Sequence, residues 1–217
     1  MFKNKIIRWS TVAMLIAILA YFFVETFSSD TKTDGKKAEQ TLSPEEYARQ
    51  LRRDREEKDE LFHHSNDSPI TDKGTFKGLS YFEPDLSYRV RAALVPYTAE
   101  DKELKITYTD GTVETFERLF YADFFLDNEP QRLLLLKNEG TVSVFFRDAT
   151  SGSETYGGGR YLDFTTAEVG SDSLVLDFNE AYNPYCAYNP SFACPLPPAE
   201  NTLRVAIRAG EKYQAEK

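Results

Sequence analysis

From about Ser65 onward the chain alternates apolar and polar residues in short runs, with no stretch at helical spacing between them. This pattern restricts the fold more than any other feature, because a period of two sends successive side chains to opposite faces of a sheet. In YRVRAALV, for example, Tyr88, Val90, Ala92 and Leu94 share one face. KITYTDGTVETF sets Asp110 and Gly111 between two alternating arms, which predicts a β-hairpin. Further runs follow at FYADFFL, QRLLLLK, TVSVFFRD, GRYLDFTT, SLVLDFN and LRVAIRAG, each bounded by Gly, Asp, Asn or Pro. About nine strands so closely spaced predict a mostly β domain over residues 65–212, an antiparallel β-sandwich or open barrel rather than a parallel α/β sheet.

The segment before this domain obeys other rules. Lys3, Lys5 and Arg8 precede an uncharged run from Trp9 to Val24. Counted from Ile6 to Phe27, a helix there would be roughly 33 Å long at about 1.5 Å per residue, enough to span a bilayer. The positive-inside rule then predicts a signal-anchor over residues 1–28, with the N-terminus in the cytoplasm and the β domain on the periplasmic side of a bacterial inner membrane. A cleaved secretory signal fits the same start, although the flank VETFSSD offers a poor cleavage site. Residues 29–42 read as a polar spacer and 213–217 as a polar tail. Ser43 followed by Pro44 and Glu46 forms a capping box, so a charged, solvated helix is expected from there to His64.

Composition excludes several functions. A formal net charge of −9 argues against gripping nucleic acid through counterion release. The two histidines, His63 and His64, are adjacent and so fit neither a zincin pair nor a three-histidine zinc site; no metal or other cofactor is expected. Ser153 follows Gly152 but precedes Glu154, so there is no nucleophile elbow.

The second half carries the unusual motifs. FRDATSGSETYGGGRYLDF is followed by DFNEAYNPYCAY and CPLPPAENTL, with Asn201 just before the last apolar run. Together with Ser68–Pro69, FKGLSYFEPD and the Asp-Gly turn, these strings resemble the bacterial family catalogued as Domain of Unknown Function 1684, over about residues 59–212. The resemblance implies no activity and supplies no catalytic residues.

On their own chemistry, several side chains are candidate ligand contacts: Arg147, Asp148, Thr155, Tyr156, Gly158 and Arg160 in the first segment, Asp177, Asn179 and Asn183 in the second. Arg147 and Arg160 would hold a carboxylate or phosphate if both entered one cavity, whereas a structural ion-pair network would use the same residues otherwise. Gly157, Gly158 and Gly159 read as a bulge at a strand start rather than a phosphate cradle, since no Lys-Ser or Lys-Thr pair follows. Asp177, Asn179, Glu180 and Asn183 have calcium-like spacing, but a strand would turn them to different faces. Cys186 and Cys194, the only cysteines, are expected to form a disulfide that stabilises the fold by about 2.6 kcal/mol in the chain-entropy model.

Three functions compete on this reading. The first is a binding or assembly module of the cell envelope, with an envelope protein or small molecule as partner. The second is a metal-independent hydrolase acting on an envelope or imported small molecule through Arg147, Asp148, Arg160 and one more carboxylate, and the third a purely structural domain.

Overall fold

β-Branched, leucine and aromatic residues at alternating positions build one antiparallel sheet in the computed structural model, which describes residues 43–170 and 172–213. Its strands are β1 (Arg89–Pro96), β2 (Glu103–Thr107), β3 (Val113–Leu126), β4 (Glu129–Asn138), β5 (Thr141–Phe146), β6 (Arg160–Thr165) and β7 (Ser173–Asp177). They lie in the order β6-β5-β4-β3-β1-β7, with β2 also paired to β3, and the sheet curls into a half-barrel.

Seven strands replace the nine expected, for two physical reasons. TVETF and FYADFFL contain no turn residue between them, so they run on as the single 14-residue β3, which absorbs the irregularity as a bulge between Arg118 and Phe120. LRVAIRAG, read as a last strand, is not one: side chains rather than a neighbouring ladder take up much of its backbone hydrogen bonding. The Asp110–Gly111 turn does close a hairpin, with Thr107 opposite Val113. Asp110 accepts from the Thr112 N–H at 2.9 Å, and Gly111 takes φ +85°, a conformation that glycine adopts without strain.

Four consecutive leucines, Leu133 to Leu136, are all buried because β4 is covered on both faces. Leu133 and Leu135 enter the main core with Leu94, Phe124, Val144, Leu162 and Leu176. Leu134 and Leu136 enter a second cluster with Ile106, Phe116, Phe145 and Tyr161.

Helix α1 (Pro44–His64) starts at the Ser43 cap, where the Ser43 hydroxyl accepts from the Glu46 N–H and Glu46 returns the bond to the Ser43 N–H. It is not wholly solvated, since Tyr47, Leu51 and Phe62 are buried. Polar contacts fix it further: Arg55 donates to the Phe82 carbonyl at 2.8 Å and Asp59 accepts from the Leu79 N–H at 3.0 Å.

The expected inner-membrane location is corrected here. Among the described residues no helix is long and apolar enough to cross a membrane; α1 is long enough but charged along most of its length. The apolar run from Trp9 to Val24, on which that expectation rested, lies outside the described residues, as do the spacer up to Leu42 and the tail from Gln214. A single-pass placement therefore has no support in the fold.

Candidate functional site

The charged residues of the glycine-rich segment converge, but on the protein itself. Arg160, at the start of β6, is 1% exposed. Its guanidinium donates to Asp148 at 2.9 Å, to the Ile207 carbonyl at 2.8 Å, to the Glu211 carbonyl at 3.3 Å and to the Ala209 carbonyl. Asp148 also accepts from the Thr150 N–H at 2.8 Å, the Thr150 hydroxyl at 2.6 Å and the Ile207 N–H at 3.2 Å. The buried pair thus carries the 207–211 segment, whose Ile207, Ala209 and Glu211 carbonyls take their hydrogens from Arg160.

Arg147 does not join them. Its backbone donates to the Asn201 carbonyl and accepts from Leu203, and its side chain makes no ion pair among the described residues. The two arginines therefore do not clamp one ligand. Thr155 is buried against the Thr150 hydroxyl at 2.9 Å. Tyr156 meets Tyr213 edge-on, with ring centroids 5.2 Å apart. Gly158 makes room for the Tyr156 ring, which a Cβ there would approach to 2.3 Å. Gly159, at φ +99°, lets β6 begin beneath the Phe146 carbonyl and Pro197.

Asp177 and Asn179 come together where β7 ends at Asp177 and a 3-10 turn, Phe178–Glu180, follows. Asp177 accepts from the Asn179 side chain at 3.0 Å and from the Tyr47 hydroxyl through both oxygens, at 2.9 and 2.8 Å. Asn179 brackets Asp85, accepting from its N–H at 2.9 Å and donating to its carbonyl at 2.8 Å. No group of acidic, histidine or cysteine side chains that could hold a metal ion occurs among the described residues.

Asn183 leads to residues that the sequence did not single out. It donates to the Tyr188 hydroxyl and the Lys212 carbonyl, both at 3.0 Å, while its N–H reaches the Glu211 carboxylate at 2.8 Å. Glu211 is fully buried and accepts also from Tyr188 at 2.7 Å and from the Lys58 ammonium of α1 at 2.6 Å. Lys58 stands over the Tyr182 ring, 4.7 Å from its centroid, and keeps 28% of its side chain in solvent. The faint signal for this pair was a lysine on the apolar-facing side of a charged helix and a lone acid just after the last apolar run.

Lys58 opens onto an apolar groove of about 550 Å³. One wall is α1 through Lys58, Leu61 and Phe62; the floor is Tyr161 and Tyr182; the other wall is the loop Pro184–Pro195, with Tyr185, Phe192 and Cys194. Cys186 and Cys194 form the expected disulfide across that loop, Cα to Cα 6.1 Å. The Tyr161 hydroxyl donates to the Pro195 carbonyl and the Tyr182 hydroxyl to Asp163. Burial drives both phenols well above their usual range, so they stay neutral donors. With those hydroxyls occupied, the groove presents ring faces and edges, and among the described residues Lys58 is the only charged side chain in its lining.

The comparisons agree on kinship and leave function open. A family model described as "Protein of unknown function (DUF1684)" matches residues 74–212. No curated protein matches. Among solved structures, the solution NMR structure of the uncharacterised protein from gene locus rrnAC0354 of Haloarcula marismortui is similar, with 37% identity and a TM-score of 0.62. The match covers 80% of this chain and 97% of that one. A family match over more than half the sequence, with a shared fold at that identity, places this chain in the DUF1684 family.

Proposed function

We propose that the protein is a ligand-binding module whose aromatic groove takes a small planar molecule carrying one carbonyl or carboxylate oxygen. The observation that carries this reading is the groove itself: α1 and the disulfide loop, far apart in sequence, surround one open apolar space with five aromatic rings and a single ammonium group. Its volume of about 550 Å³ lies within the range of small-molecule sites. The rings supply apolar contact, and the Lys58 hydrogens not engaged by Glu211 are the donors that orient the oxygen. A hydrolase working through Arg147, Asp148 and Arg160 gains no support, since Asp148 and Arg160 are buried and bonded to each other and to the chain.

The test is a two-dimensional NMR titration of the labelled protein with benzoate and naphthoate, against cyclohexylamine as a control. Saturable shifts confined to residues of the groove, absent in Leu61→Arg, are the expected result. Leu61 is 58% exposed and lines the groove, so the arginine fills it without disturbing the core. Shifts elsewhere, or none with either carboxylate, would sink the reading.

A further inference from the structure

The loop wall of the groove is two short pieces anchored in different places. The first piece is held toward α1, where Asn183 and Tyr188 bond Glu211. The second is stitched to the β2–β3 hairpin: Thr109 donates to the Cys194 carbonyl at 2.9 Å, its hydroxyl accepts from the Cys194 N–H at 3.1 Å, and Leu196 donates to the Thr107 carbonyl at 2.9 Å. Between the anchors, residues 189–191 are turned outward, with Pro190 and Ser191 exposed. Tyr185 and Phe192, which form the outer part of the wall, meet edge-on at 5.3 Å. The disulfide is the covalent tie between the two pieces.

Its two sulfurs differ in access. Cys194 is 5% exposed, whereas Cys186 is partly open to solvent, with the Tyr156 hydroxyl 3.9 Å from its sulfur. We infer that the Cys186–Cys194 disulfide is a redox switch for the groove: a dithiol reductant opens it, frees the loop wall and removes the binding site while the sheet stays folded. This rests on the groove being a binding site. The exchange balances: one thiolate of the dithiol attacks the Cys186 sulfur, the S–S bond breaks, and Cys194 leaves as thiolate and takes a proton. The second thiolate of the reductant then closes on the mixed disulfide and releases Cys186, which is protonated in turn. Two electrons and two protons pass to the protein, and the reductant becomes a cyclic disulfide.

The sheet is independent of this tie, because neither sulfur belongs to the residues that fill the main core and the second cluster. The full chain would be titrated with 1-anilinonaphthalene-8-sulfonate, a planar aromatic anion, before and after dithiothreitol, with Cys186→Ser/Cys194→Ser as the permanently open form. Affinity should fall at least tenfold on reduction and in the double variant, return when the wild-type chain is reoxidised, and leave the far-ultraviolet circular dichroism unchanged. Unchanged or increased dye binding with both thiols free overturns the switch, and so does loss of the dichroism signal, which would make the disulfide a staple of the whole fold. Leu61→Arg in the oxidised protein separates the two claims. If it leaves dye binding intact, the groove reading fails; if it removes binding while reduction does not, the groove stands and the switch falls.

Discussion

Asn201 shows how much one side chain can carry. The β4–β5 ladder ends where Leu136 faces Ser143, and beyond that point the Asn201 amide sits between the strands. It accepts from the Leu134 N–H at 2.7 Å and donates to the Leu134 and Phe145 carbonyls at 2.9 and 3.0 Å. Asn201→Ala leaves three buried backbone groups unpaired and should lower stability by about 3 kcal/mol or more in urea unfolding, since each orphan costs about 1–3 kcal/mol. The Arg160–Asp148 pair works similarly, and Asp148→Ala should destabilise by about 3–5 kcal/mol because it strands a buried guanidinium. Glu180 behaves oppositely. Desolvation, then the charge of Asp177, pushes its carboxyl up to about 7. The folded state therefore holds a proton that the unfolded chain releases near the ordinary value of about 4.3. Stability from this residue falls as pH rises from there to about 7, and Glu180→Gln should flatten that slope in thermal melts. Glu180 still meets water, so the effect is modest. Of these residues Arg160, Asp148 and Asn201 stood out in the sequence, but their distant partners Ile207 and Leu134 did not, because the bonds join positions tens of residues apart.

Among the elements, α1 is the one whose start was written locally, in Ser43, Pro44 and Glu46. Its docking was not legible, since Tyr47, Arg55, Lys58 and Asp59 look like any solvated helix until the domain supplies Asp177, Phe82, Glu211 and Leu79. Ser43→Ala should cost about 1 kcal/mol, the ordinary worth of an N-cap. Tyr47→Phe removes the hydroxyl from Asp177 and should speed amide exchange along α1 more than along β4, as seen by hydrogen exchange. Strand positions were legible wherever turn residues bounded them. They misled at LRVAIRAG, where alternation is present but the bonding is divided between scattered backbone groups and the Arg160 and Asp148 side chains.

At the scale of the molecule, one sheet separates two apolar clusters that share β4. Leu134→Ala and Leu135→Ala open cavities on opposite faces, and each should cost about 2–5 kcal/mol. Both should keep a single transition, with near- and far-ultraviolet dichroism superimposed, because neither cluster can open without exposing the other through the same strand. Separate transitions would show that the faces are independent.

The tie between Arg160 and residues 207–211 also has a consequence for synthesis. The carbonyls that accept its hydrogens leave the ribosome at least 47 residues after Arg160 does. Until then the guanidinium must stay in water, and the strand that carries it cannot settle. A chain halted before Ile207 would hold a guanidinium that Asp148 can pair but whose other donors have no carbonyl to meet, so the burial of this pair waits for the C-terminal segment.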